Sequence, residues 1–312
     1  MKKLLTTLIL AFTVITVSAA EEFNLRKDPI TLIVPAPPGA GRTVLGLRLG
    51  QLMKEKGITL QVVNKPGANR IVGTNLAASS VPDGRTLLFG GVADIALLPK
   101  QHPDVVKFTR SSFVPVISMV RAEPVLIVRK DFPANNFKEF LEVIKRDPLQ
   151  RQIADFSMHS SLIASSLYSL AGVSPEFISY AGENQAAVDV ASGNLQSAVV
   201  TLEDRYLTER VKVIAITADK RSPKFLNVET VSETFPNVVF QYWWGLYAPA
   251  GTPDATIKEL NKAFAEVWTD PKIVAELKQL NYQPGETSLP ALNAYLDKEY
   301  KTLDQMASRY LK

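Results

Sequence analysis

Between Thr31 and Asp94 the chain alternates strand, Pro/Gly turn and helix, and this rhythm restricts the fold more than any other feature. Residues 31–34 (TLIV) form a β-rich run that enters the turn at residues 35–41. Leu45, Leu49, Leu52 and Met53 then recur at helical spacing. A second strand is expected at residues 59–63, broken by Pro66-Gly67 and followed by a helix over Ile71–Ala78. Asp83-Gly84 turns the chain into a third strand, residues 86–90, which ends in a turn at residues 90–94. Consecutive units of this kind predict a parallel sheet with right-handed crossovers. Ligands of such sheets collect at the carboxyl ends of the strands. Arg42, Arg70 and the turn carrying Ala93 and Asp94 all fall on that edge. A helix N-terminus with unpaired N–H groups suits an anion, and arginine adds a planar fork of donors. The glycines alone are not diagnostic. Gly39-Ala40-Gly41 lacks the third glycine of a dinucleotide fingerprint, and no G-K-[ST] follows. From this stretch alone, a solvated Arg42 at an ordinary turn is an equal alternative.

Two apolar runs, residues 113–120 and 125–128, flank Arg121-Ala122-Glu123-Pro124, and the first domain boundary is placed there. A second set of units follows. Helices are expected at 137–145, 160–170 and 184–191, and strands at 152–156, 176–179, 196–200 and 211–217. Residues 241–248, with Tyr242, Trp243 and Trp244, carry the chain back to the first lobe. The expected division is residues 21–121 plus 241–312 for lobe 1 and residues 122–240 for lobe 2. Three helices close the chain, two of them announced by Thr252-Pro253 and Asp270-Pro271, an N-cap followed by proline at the first helical position.

Residues 1–20 read as a secretory signal peptide: Lys2 and Lys3, an apolar run over residues 4–17, then Ser18-Ala19-Ala20. Removing it leaves 33 basic against 31 acidic residues, a net charge near +2, which is no argument for nucleic acid. The chain has no cysteine and two histidines, so neither a disulfide framework nor a transition-metal site is expected. No cofactor motif is present, and a monomer is the default. His159 lies within Ser157-Met158-His159-Ser160-Ser161, but no G-x-S-x-G, S-x-x-K or H-E-x-x-H accompanies it. The hydroxyls are expected to cap the following helix rather than to act as nucleophiles.

Five short motifs carry a resemblance that covers essentially all of the mature chain: IVPAPPGAG (33–41), NKPGA (64–68), PDGRTLL (82–88), TADKRSP (217–223) and WGLYAPAGTP (244–253). In this order and spacing the chain resembles the substrate-binding proteins of tripartite tricarboxylate transporters, the Bug family. The resemblance implies a periplasmic binding protein of α/β class, type II-like, with two lobes, two crossover strands and a ligand cleft between them. It implies no enzymatic activity, a small organic carboxylate as ligand, and the membrane permease subunits of such a transporter as partner. A di- or tricarboxylate is favoured. The loops that would hold it carry Pro38, Gly39, Ala40, Gly41, Arg42, Thr43, Asn69, Arg70 and Gly73 in lobe 1. Lobe 2 would close with His159, Ser160, Ser161, Tyr180, Ala181, Gly182, Asn184 and Thr201. The chain departs from the family pattern where P-P-G-G-G-T-D becomes Pro37-Pro38-Gly39-Ala40-Gly41-Arg42-Thr43, and where P-G-A-G-G becomes Pro66-Gly67-Ala68-Asn69-Arg70. Direct contact of Arg42 and Arg70 with the ligand is therefore expected, in place of backbone and water alone. The alternatives are a sensor domain on a signalling receptor and an exported serine hydrolase.

Overall fold

The computed structural model describes residues 23–311 except 207, 223, 224 and 237, so the expected signal peptide lies outside the described residues. In chain order the strands are β1 (Ile30–Val34), β2 (Leu60–Asn64), β3 (Thr86–Gly91), β4 (Phe113–Ala122), β5 (Pro124–Arg129), β6 (Gln152–Asp155), β7 (Glu176–Ser179), β8 (Ser197–Thr201), β9 (Val211–Ile216), β10 (Tyr242–Pro249) and β11 (Tyr282–Pro284). The helices are α1 (Gly41–Glu55), α2 (Ile71–Ala78), α3 (Val92–Gln101), α4 (Phe137–Arg146), α5 (Met158–Ser169), α6 (Glu183–Ser192), α7 (Val231–Thr234), α8 (Asp254–Trp268), α9 (Pro271–Gln279) and α10 (Leu289–Tyr310). Among the described residues no helix is long and apolar enough to cross a membrane.

The strands form two mixed sheets, ordered β2-β1-β3-β10-β4-β11 and β7-β6-β8-β5-β9. In the first, β1 pairs in parallel with β2 and β3, and Ile33 lies level with both Val63 and Leu88. That register brings three strand-to-helix corners to one edge. Only Glu123 separates β4 in the first sheet from β5 in the second, and β10 returns the chain between β3 and β4. The architecture is two α/β lobes joined by crossover strands.

The second sheet is covered on both faces, and β8 is buried at every position. Alternate side chains of a strand point to opposite faces, so Val199 joins the core beneath α4 and α5 while Val200 joins the one beneath α6. Strand β10 is also wholly buried. Trp243 stacks on Tyr295 of α10 at 5.2 Å between centroids, whereas Tyr242 and Trp244 stack on each other and face the other way.

Two expectations need correcting, and one strand went unread. Residues 90–94 are not a turn: β3 runs to Gly91 and α3 starts at Val92. Residues 92–98 of that helix are all buried, so no polar face revealed its period. Strand β11, three residues long, had no readable pattern. Thr252 does not cap α8, because its hydroxyl donates back to the Pro249 carbonyl (2.8 Å) and Pro253 takes the cap position. Asp270 does cap α9, accepting from the Lys272 amide at 2.8 Å.

Candidate functional site

The first corner is tied down by its own side chains. Thr43 donates to the Pro37 carbonyl (3.0 Å), and Asn64, at the end of β2, donates to Ala36 O and Thr43 Oγ1 at 2.7 Å each. Arg42 is thereby held at the start of α1. The second corner is unusual. Gly67, Ala68, Asn69 and Arg70 have φ of 120°, 45°, 49° and 74°. A left-handed residue other than glycine costs on the order of 1–2 kcal/mol, least for asparagine. The chain accepts that cost and so aims the Arg70 side chain at the third corner. Gly73 lets α2 approach, since a Cβ there would come within 2.8 Å of Pro35 Cβ.

The three corners meet at Asp94. Its Oδ2 accepts from Arg42 Nη2 at 2.9 Å and from Arg70 Nη1 at 3.2 Å. All three side chains are largely out of solvent, at 5% (Arg42), 14% (Arg70) and 3% (Asp94) relative exposure. Burial raises the Asp94 pKa, opposed by Arg70 and His159. The Arg42 guanidinium also lies 5.3 Å from the Trp244 ring centroid, within cation–π range. Gly91 makes room for the pair, because a Cβ there would stand 2.8 Å from both Arg42 Nη2 and Asp94 Oδ2. Arg42 Nε and Nη1, Asp94 Oδ1 and Asn69 Oδ1 are buried and have no hydrogen-bond partner among the described residues.

The second lobe answers with different groups. Ser157 and Ser160 form a reciprocal cap at the start of α5, each side chain accepting from the other's amide at 3.1 Å. Ser161 Oγ donates to Asp155 Oδ1 at 2.6 Å. His159 stands edge-on to Tyr242, 4.9 Å between centroids. Burial lowers its pKa to about 4, with Asp94 pulling it up and Arg70 pushing it down, so the ring is neutral at pH 7. Asn184 Nδ2 reaches across to the Gly39 carbonyl at 3.1 Å, and Gly182 abuts Pro37. These contacts join the lobes on one side of a cavity of about 280 Å³, lined by Pro35 and residues 67–70 from lobe 1 and by Asp155, Phe156, Ser179, Tyr180 and Ala181 from lobe 2. A second cavity of about 320 Å³ lies against α1 and β11. Its walls include Val44, Leu45 and Leu280 but neither Arg42 nor Arg70.

Of the expected site residues, Asn69, Arg70, Tyr180 and Ala181 line the cavity. Pro38 and Gly39 are exposed beside the inter-lobe contact, with Ala40 and Gly41 buried behind them. Arg42 and Asp94 form the charged cluster behind Arg70, and Ala93 is buried in the same turn of α3. Others are occupied elsewhere. The Thr43 hydroxyl closes its own loop, Gly73 is a packing glycine, and Ser160 is spent on the cap. Thr201 gives both its amide (2.9 Å) and its hydroxyl (2.7 Å) to the buried carboxylate of Glu183. The carboxylate that was overlooked is Asp155. It ends β6 at the carboxyl edge, the position where ligands of such sheets collect.

The sequence profile described as "Tripartite tricarboxylate transporter family receptor" matches residues 48–307. The chain belongs to that receptor family. A UPF0065 protein of Bordetella pertussis is 28% identical over 278 residues, covering 87% of this chain and 86% of that protein. The structure of the periplasmic binding protein BugD is similar at a TM-score of 0.82 and 26% identity, covering 91% of this chain and 98% of BugD. MatC from Rhodopseudomonas palustris, solved with bound malate, shares the fold at a TM-score of 0.80 and 22% identity over 90% of this chain and 99% of MatC. The receptor family is one of periplasmic solute-binding proteins, and its fold places the cavity around Arg70 between the lobes.

Proposed function

We propose that this receptor is exported, captures a small organic carboxylate between its lobes, and delivers it to the membrane permease subunits of a tripartite transporter. The carrying observation is the convergence of Arg42 and Arg70 on Asp94 at one edge, with Arg70 lining a cavity shared by both lobes. Arginine pairs with carboxylate through two parallel hydrogen bonds, and a closed cleft strengthens them. The malate seen in MatC supports the ligand class. Binding favours closure because lobe 1 supplies the cations and lobe 2 covers them, so only the closed state offers both sets of contacts. A hydrolase reading finds little support: Ser157, Ser160 and Ser161 are engaged around the start of α5, and His159 packs on Tyr242.

The test is a thermal-shift screen of the mature protein with mono-, di- and tricarboxylates. A ligand at about 100 times its dissociation constant adds roughly 2.7 kcal/mol to native stability. Replacing Arg70 with alanine should weaken the bound acid by on the order of 2–5 kcal/mol. An undiminished shift in both Arg70→Ala and Arg42→Lys would overturn the arginine-based reading.

A further inference from the structure

The two arginines do not make a strongly positive cleft. Asp94 takes a hydrogen bond from each of them through a single oxygen. Across the cavity from Arg70, lobe 2 presents a second carboxylate, Asp155, on the same wall as Phe156 and Tyr180. Of the other titratable groups that interact with Asp94 or Arg70, His159 is neutral at pH 7, and burial keeps the Tyr242 and Tyr247 hydroxyls protonated. Two cations against two carboxylates leave the site with no net formal charge. A dicarboxylate entering it would meet cations at one end and Asp155 at the other. Its second charge would then be buried against a like charge, which is expensive. Asp155 accepts from Ser161 Oγ; burial raises its pKa, opposed by Ser161, His102, the Ser157 backbone and Arg70, and a cation placed directly against it would offset the burial cost further.

We infer that the solute is a zwitterion, a small acid whose carboxylate lies toward Arg70 and Arg42 and whose ammonium group lies toward Asp155. The inference rests on the carboxylate-receptor reading and narrows it. The wall formed by Phe156 and Tyr180 accepts the apolar part of such a molecule, and about 280 Å³ holds a small one.

The experiment is calorimetric titration of the mature protein with matched probes. 4-Aminobutanoate and 5-aminopentanoate are compared with butanoate, pentanoate, succinate and glutarate, and α-amino acids of similar size with their deaminated acids. The expected result is that the best amino acid binds at least tenfold tighter than the mono- and dicarboxylate of the same length. In Asp155→Asn, which keeps an acceptor for Ser161, that preference should fall about tenfold while monocarboxylate affinity holds or rises. A wild-type preference for dicarboxylates, or an amino-acid preference untouched in Asp155→Asn, overturns the zwitterion and leaves the carboxylate reading standing. Loss of all acid binding in Arg70→Ala, with the fold intact by circular dichroism, confirms the shared premise. Absence of binding by every acid in the wild type overturns both.

Discussion

Leaving aside β11, the two sheets repeat one strand order. β2-β1-β3-β10-β4 matches β7-β6-β8-β5-β9, and in each the fourth strand runs against the rest and is the crossover. Their carboxyl edges are nevertheless built from different materials. Lobe 1 spends its edge on a buried arginine–aspartate–arginine cluster, reached through three consecutive non-glycine residues in the left-handed region. Lobe 2 uses conventional devices, a serine cap on α5 and a buried Glu183 carboxylate that accepts from the amide and hydroxyl of Thr201. The scaffold is common to both, and what distinguishes the lobes is grafted onto its loops. The edge with the left-handed residues is also the one that holds the two buried cations.

The contrast can be broken most severely at Asp94. Asp94→Ala leaves Arg42 and Arg70 buried without their shared anion, and should cost about 3–5 kcal/mol in urea unfolding. Asp155→Ala, in a partly open position of lobe 2, should cost no more than about 1–2 kcal/mol. Equal losses would mean that the charged cluster is not special.

The next effect is a pH dependence carried by His159, which faces Asp94, Arg70 and Tyr242. Its folded pKa, about 4, lies below the usual value of 6.5, so the unfolded chain binds the proton first. Its contribution is complete above pH 6.5 and is lost as the pH falls toward 4, on the order of 1–3 kcal/mol. Asp94 and Asp155, with raised pKa values, act in the opposite sense. The measurement is therefore the difference between wild type and His159→Phe between pH 7 and 4. A zero difference removes His159 from the account.

The smallest effect sharpens the comparison of backbones. Ala68→Gly should stabilise lobe 1 by about 0.5–1 kcal/mol, because glycine adopts positive φ without the Cβ penalty. If a more mobile Arg70 loop also weakens acid binding, the strain serves to orient that arginine.

Parts of this molecule were legible from residues alone. Helix α2 and strand β7 begin and end where propensity and turn residues place them, at Ile71–Ala78 and Glu176–Ser179. The alignment of Arg42, Arg70 and Asp94 on one edge follows from the β-α rhythm. Helix α3 escaped because its first seven residues are buried on every side and show no polar face, and Glu183 escaped because its donor, Thr201, lies 18 residues away. Serine-rich residues 157–161 read as a cap and are one.

The sequence by itself determined the alternation of elements, the edge that gathers Arg42, Arg70 and Asp94, and the receptor family, since these depend on local periodicity, turn chemistry and short motifs in order. Only the tertiary structure decided what the charges do. Arg42 and Asp94 are 52 residues apart and Arg70 and Asp94 are 24 apart, and no local rule says that one carboxylate oxygen will serve both arginines. Nor does any local rule place Asp155 across the cavity from Arg70. The net charge of a cleft is a sum over groups that folding brings together, and electrostatic energy depends on their distances and on the water excluded between them.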